Sequence, residues 1–157
     1  MTAAYDIKQL KEYSLFPIMV QENMRYRDLD TNGHMNNAVF ATYFELARGR
    51  ARHACLSPRP PGTASVVGRQ LIIYHQELKY PAILQIGTAI VHISRSTWTW
   101  GNAVFKNGVC YATAEVTMIM VDTKTKKAAE IPAEFRASLE ALRLHKTDNP
   151  LILTDDL

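Results

Sequence analysis

The sequence predicts an α+β fold in which antiparallel strands wrap one long helix, and three observations carry that prediction. Residues 37–53 have a helical pattern that is apolar around most of its circumference as far as Leu46. One strand pattern precedes this segment and four follow it, and no helical pattern separates those four. A helix apolar nearly all round must be buried, and strands in succession are the only material available to bury it. At 157 residues, 47% of them apolar, the chain has the size of a single globular domain. A domain of about 150 residues buries roughly 68–70% of the surface that its unfolded form exposes. We therefore read residues 1–157 as one domain.

The elements follow in order. Residues 6–13 hold at most a short helical turn. After Pro17, the run from Ile18 to Tyr26 reads as a strand. Residues 28–37, DLDTNGHMNN, are dense in Asp, Asn and Gly, the residues of turns and helix caps. From Asn37 to His53 the period is helical: Phe40, Phe44 and Ala47 share one face, with Val39, Tyr43 and Leu46 beside it. Three prolines and a glycine make residues 56–64 a loop. Strand-forming runs follow at 65–78, 84–94, 97–106 and 109–121. Asn107-Gly108 tolerates positive φ and predicts a tight hairpin between the last two. A charged turn at 122–127 leads to a short closing helix over 133–144, with Phe135, Leu139 and Leu142 on one side. Residues 145–157 read as a tail. The resulting five-stranded antiparallel sheet leaves edges that must be paired or covered, which favours a dimer.

Composition excludes several function classes. The formal charge of +3 arises from 18 basic and 15 acidic residues, 10 against 7 in residues 1–80 and 8 against 8 in the remainder. That excess is too small and too dispersed for a nucleic-acid groove. The one local cluster is Arg48, Arg50, Arg52 and His53. Cations at a helix C-terminus complement its dipole, and contact with phosphate is the alternative reading. No apolar run approaches the ~18 residues of a membrane span, and the first twenty residues lack the features of a secretory signal. A cytoplasmic protein with no membrane partner is the expectation. Cys55 and Cys110 lack a CxxC arrangement and read as free packing thiols. His75 and His92 have no partners at ligand spacing, so neither is read as a metal ligand. Glu45 must be paired or reach solvent, with Arg48 at i+3 as its obvious partner. Trp98 and Trp100, two apart in one strand, share a face and pack the core or a dimer contact.

The segment from Asp28 to His34 admits three readings. In the first it is structural, its Asp and Asn side chains satisfying N–H groups at the helix start and Gly33 turning the chain. In the second, Asp28, Asp30, Asn32 and Gly33 match positions 1, 3, 5 and 6 of a calcium loop. The twelfth position, however, is Val39 instead of Glu, and a strand precedes the loop instead of a helix. In the third, Asp30, Asn32 and His34 converge in a non-helical turn beside the first N–H groups of a helix. Those groups carry partial positive charge that can stabilise an oxyanion. A base or nucleophile beside oxyanion donors is the minimum for acyl transfer.

The stretch Arg25 to Asn37, RYRDLDTNGHMNN, continued by Phe40 to Arg48, FATYFELAR, resembles the signature of hotdog-fold thioesterases. It is most similar to the 4-hydroxybenzoyl-CoA thioesterase group and the acyl-ACP thioesterases. A weaker resemblance extends to about Pro132 and excludes the first 17 residues and the tail. It implies a hotdog fold, acyl thioester hydrolysis without metal or cofactor, and a homodimer or homotetramer with the active site between protomers. Asp30 matches the catalytic carboxylate of the hydroxybenzoyl-type enzymes, and the backbone N–H of Asn37 the group that polarises the thioester carbonyl. Asp30, Asn32 and His34 also match the Asp-Asn-His set proposed for acyl-ACP thioesterases. This chain lacks the second repeat of the plant-type enzymes, so their further catalytic groups have no counterpart here.

On both arguments Asp30 is read as nucleophile or general base, with Asn32 and His34 orienting water or the carboxylate, while Asp28 holds the turn. Phe40 and Tyr43 are helix core first and substrate pocket second, and Trp98 and Trp100 could likewise line an acyl channel. Arg59 and Arg69, flanking the proline-rich loop, are candidates for the CoA phosphates. The leading reading is an acyl-CoA hydrolase. The alternatives are an acyl-ACP thioesterase, or a non-hydrolytic acyl-binding protein of the same fold; acyl hydration or dehydration lacks a matching signature.

Overall fold

The computed structural model describes residues 5–155. Helix α1 (Asn37–Cys55) lies against one face of a sheet built from β1 (Ile18–Asn23), β2 (Thr63–Tyr74), β3 (Ile83–Ile93), β4 (Thr97–Lys106), β5 (Val109–Asp122) and β6 (Leu151–Leu153). The strand order is β2-β5-β4-β3-β1-β6, and every pairing is antiparallel except that of β6 with β1. A short helix, α2 (Ala133–Glu140), closes the core. This is a hotdog arrangement with one strand more than the five expected.

That extra strand comes from the segment expected to be a tail. Leu151 to Leu153 run parallel to Ile18 to Val20, and the Leu151 N–H donates to the Pro17 carbonyl at 2.9 Å. The Arg50 guanidinium ties the two regions together by pairing with Glu22 of β1 and with Asp155.

The sheet covers one side of α1 and leaves the other open, so the expectation of a helix buried all round needs correction. Phe40, Tyr43, Phe44, Ala47 and Ala51 are buried at the spacing of a single face, whereas Ala38, Thr42, Glu45 and Gly49 are exposed. Opposite the buried face stand Trp98, Trp100, Val104, Ala112, Val116 and Met120 in the same core. The two tryptophans share this helix-facing side, as their spacing predicts. On the outer face, Leu10 and Phe16 from the N-terminal 3₁₀ turns cover β3 and β4. The ring of Phe16 lies so close to Gly87 that a Cβ there would stand 2.5 Å from it.

Local signals place most boundaries. Asn36 caps α1 by accepting the Ala38 N–H at 2.9 Å. Asn107 and Gly108, at φ 51° and 76°, make the hairpin that pairs Lys106 with Val109. Three elements end earlier than their sequence patterns suggest, and β1 is one, stopping at Asn23 ahead of the 3₁₀ turn over Tyr26–Asp28. α2 stops at Glu140 because Leu142 and Leu144 exchange backbone hydrogen bonds with Ile90 instead. β2 stops at Tyr74, and Leu78 accepts the Met35 N–H at 2.8 Å. That last bond anchors the loop before α1 to the body of the protein. Cys55 and Cys110 are free thiols, and burial pushes that of Cys110 up to about 11.

Candidate active site

Beyond β1, a 3₁₀ turn (Tyr26–Asp28) leads into a tight hairpin in which Leu29 bridges Met35. The Asp30 N–H donates to the His34 carbonyl at 2.7 Å and the Gly33 N–H to the Asp30 carbonyl at 3.1 Å. Gly33 sits at φ 78°, a left-handed conformation that glycine adopts without steric penalty. The hairpin closes where the Asn36 N–H meets the Asp28 carbonyl at 2.9 Å, one residue before α1 begins. The loop is thus pinned to the N-terminus of the helix.

Within it, Asp30 is half-buried and its carboxylate is asymmetrically engaged. Oδ1 accepts the N–H groups of Asn32 at 2.8 Å and of His34 at 3.1 Å. Oδ2 accepts no hydrogen bond among the described residues. One oxygen is held and the other is available. Asn32 and His34 make this contact through their backbones; the Asn32 side chain is exposed, and the His34 ring places Nε2 3.1 Å from Glu77 Oε2.

Asn37, the first residue of α1, is exposed, and its carbonyl accepts the Tyr74 hydroxyl at 3.0 Å. Its N–H belongs to the first turn, outside the i to i−4 ladder, where backbone donors are unpaired and carry the positive end of the helix dipole. The same loop therefore offers a carboxylate oxygen and a helix N-terminal donor.

Asp28 does different work. It is buried, and its carboxylate receives the Arg25 N–H at 2.9 Å, the Arg25 guanidinium at 3.0 Å and the Tyr43 hydroxyl. Burial alone would raise its pKa; the hydrogen bonds from Tyr43 and Arg25 outweigh it and leave the carboxyl below its ordinary value. Tyr43 is pushed up to about 12 by burial and by the same hydrogen bond. Asp28 holds the turn to the helix, as the sequence reading expects.

The other candidates fall in separate places. Phe40 and Tyr43 are both 3% exposed and belong to the core, Phe40 packing edge-on to Tyr74 at 5.3 Å. Arg59 Nη1 donates to Ser65 Oγ at 2.5 Å. Arg69 lies on the opposite side of β2, 3.7 Å from Glu115, because an irregularity at Gly68 shifts the strand register between them. Glu45 and Arg48 form no ion pair: Glu45 reaches solvent and Arg48 is buried. Among the described residues, no group of three or more His, Cys, Asp or Glu is placed to hold a metal ion. Glu77 and Tyr74 are site neighbours that sequence reasoning missed, since neither stands in a recognisable motif.

The thioesterase-like superfamily matches residues 24–139. A thioesterase from Thermus thermophilus, solved with coenzyme A and zinc, is 30% identical; the match covers 82% of this chain and 95% of that one, with a TM-score of 0.69. An Aquifex aeolicus protein is 25% identical over 78% of this chain and 99% of its own, with a TM-score of 0.72. The DHNA-CoA thioesterase of Staphylococcus aureus shares the fold at 23% identity and a TM-score of 0.67, covering 79% of this chain and 88% of that one.

Proposed function

Because this chain belongs to the thioesterase-like superfamily, we propose that it hydrolyses acyl-CoA thioesters, with Asp30 as nucleophile or general base. The observation that carries this reading is the one-sided engagement of the Asp30 carboxylate, held at Oδ1 by two N–H groups and open at Oδ2. Oδ2 takes a proton from water as the water oxygen bonds to the thioester carbon, or attacks that carbon itself to form an anhydride that water then cleaves. The Asn37 N–H receives the oxyanion in either route. Collapse breaks the C–S bond, and the thiol, far more acidic than an alcohol, leaves as thiolate without prior protonation. This arrangement needs no dedicated general acid. Coenzyme A in the structure of the 30% identical relative supports a CoA ester over a carrier-protein ester.

The same reading makes the working unit a homodimer. The edge of β2, unpaired among the described residues, runs for 12 residues and carries the exposed Val66, Val67, Ile73 and Tyr74. Tyr74 on that edge touches Asn37. A second protomer added there flanks the helix N-terminus and completes the cleft.

Release of free thiol from a panel of acyl-CoAs, followed with wild type and Asp30→Asn, tests the activity. Asn retains an Oδ1 acceptor for both N–H groups, so the fold persists while turnover falls on the order of 10²–10⁴. Near-wild-type turnover by the variant, or binding of acyl-CoAs without any hydrolysis, overturns the assignment.

A further inference from the structure

We propose that Tyr74 is a positioning residue for thioester hydrolysis, its hydroxyl fixing the first turn of α1 so that the Asn37 N–H is aimed at the carbonyl oxygen of the substrate; this rests on the acyl-CoA reading above. The hydroxyl donates to the Asn37 carbonyl at 3.0 Å, and the ring packs edge-on to Phe40 of the same turn at 5.3 Å. Among the described residues, no other side chain from the sheet hydrogen-bonds that turn. Tyr74 is the tie between the donor and the sheet.

The first turn itself singles out the donor. Asn36 Oδ1 accepts the Ala38 N–H at 2.9 Å, and the Asn36 carbonyl accepts the Val39 N–H at 2.9 Å. Of the first three N–H groups of α1, only that of Asn37 has no acceptor among the described residues. The peptide plane that carries it is the one whose oxygen takes the Val39 N–H, so its tilt is set within the helix. Where the helix end stands relative to Asp30 is set from outside, through Tyr74. A donor stabilises an oxyanion only when aimed at the place the oxygen takes in the transition state, and a misplacement of about 1 Å can cost about 10²-fold.

The mount is rigid and shared with the carboxylate. Tyr74 is the last residue of β2 and pairs with Ala112 of β5. Just beyond it, the N–H groups of His75 and Gln76 both donate to the Tyr111 carbonyl, at 2.8 and 3.3 Å, and Gln76 Nε2 donates to the Cys110 carbonyl at 2.9 Å. The same segment then reaches the hairpin: Glu77 pairs with the His34 ring, the Leu78 carbonyl accepts the Met35 N–H at 2.8 Å, and Lys79 bridges His34. Residues 74–79 therefore hold Asn37 at one end and the Asp30 hairpin at the other, which sets the spacing between oxyanion donor and carboxylate. The Tyr74 bond is open to water in one protomer, and a second protomer along β2 shields it.

Tyr74→Phe keeps the ring on Phe40 and deletes the hydroxyl. For acyl-CoA hydrolysis, kcat should fall about five- to tenfold with KM changed less than about twofold, the pattern of an interaction felt in the transition state, while sedimentation gives the wild-type oligomer. A merely structural hydroxyl would lower the melting temperature and leave kcat of the folded protein unchanged. In the slow Asp30→Asn background, the infrared band of a bound acyl-CoA, isotope-labelled at the thioester carbonyl carbon, reads the donor directly. That band should lie below that of the free ester and move back toward it when Tyr74→Phe is added. Absence of thiol release by wild type would overturn the hydrolase reading, and the carbonyl band would still decide the role of Tyr74. Wild-type kcat in Tyr74→Phe, an unmoved carbonyl band, a rise in KM at unchanged kcat, or a variant that sediments as monomer each overturns the proposal, the last assigning the hydroxyl to the dimer contact.

Discussion

The imidazole of His34 is tied to Glu77, with Nε2 3.1 Å from Oε2, while the backbone N–H of His34 holds Asp30 Oδ1 at 3.1 Å. The residue thus serves the carboxylate through an atom that every amino acid but proline possesses. Asn32 does the same through its own N–H, with an exposed side chain. What positions 32 and 34 supply to Asp30 is the shape of the hairpin.

Side-chain removal at these two positions should accordingly be mild. The ring pairs with a carboxylate whose side chain is 69% exposed, and surface pairs of this kind contribute about 0–1 kcal/mol. Asn32→Ala and His34→Ala should each lower kcat/KM for acyl-CoA by less than about tenfold, against 10²–10⁴ for Asp30→Asn. A loss with His34→Ala as large as that with Asp30→Asn would assign the imidazole a direct part in the reaction.

The Asp28 cluster predicts an acid-sensitive fold. Its carboxyl is held below the ordinary value in the folded protein, so the unfolded chain binds a proton more readily than the folded one. The resulting stability is complete above the unfolded carboxyl pKa of about 4 and is lost as pH falls through the lower folded value. Thermal melts of wild type should show a steep decline below about pH 4, shallower in Asp28→Asn. Tyr43→Phe, which strips one hydrogen bond from a buried carboxylate, should destabilise by about 1–3 kcal/mol at neutral pH. Parallel acid limbs for wild type and Asp28→Asn would remove Asp28 from the acid response.

Features written in adjacent residues were legible in the sequence. Asn107-Gly108 marks its hairpin, the DLDTNGHMNN turn its position before α1, and the spacing of Trp98 and Trp100 their common face, because each depends only on local conformation or strand period. Features set by distant packing were not. Leu151 to Leu153 becomes a strand only by meeting β1, more than a hundred residues earlier. Glu45 and Arg48 have the spacing of a helical ion pair, but the buried face of α1 rotates Arg48 inward. Arg59 and Arg69 flank one loop, and the strand between them sends them to opposite sides of the sheet. At the candidate site the motif revealed which carboxylate to examine; that His34 contributes its backbone, with its ring on Glu77, required the fold.

The β2 edge yields the last prediction. β6 occupies the opposite edge with three residues, whereas β2 presents 12 residues with a side unpaired among the described residues and four exposed apolar side chains. A long apolar edge is a template for another strand, and closing it with a second copy buries those side chains symmetrically. Because Tyr74 on this strand contacts Asn37, the dimer and the reaction site should fail together. Val66→Lys with Ile73→Lys places two charges on the edge of each protomer, and like charges facing one another across a twofold axis oppose pairing. Sedimentation should show wild type as a dimer or a dimer of dimers, and the double variant shifted to monomer. Its thioester turnover should fall by at least about tenfold while circular dichroism and the melting profile remain those of a folded protein. A monomer with wild-type turnover would place the whole reaction within one chain and detach the β2 edge from catalysis.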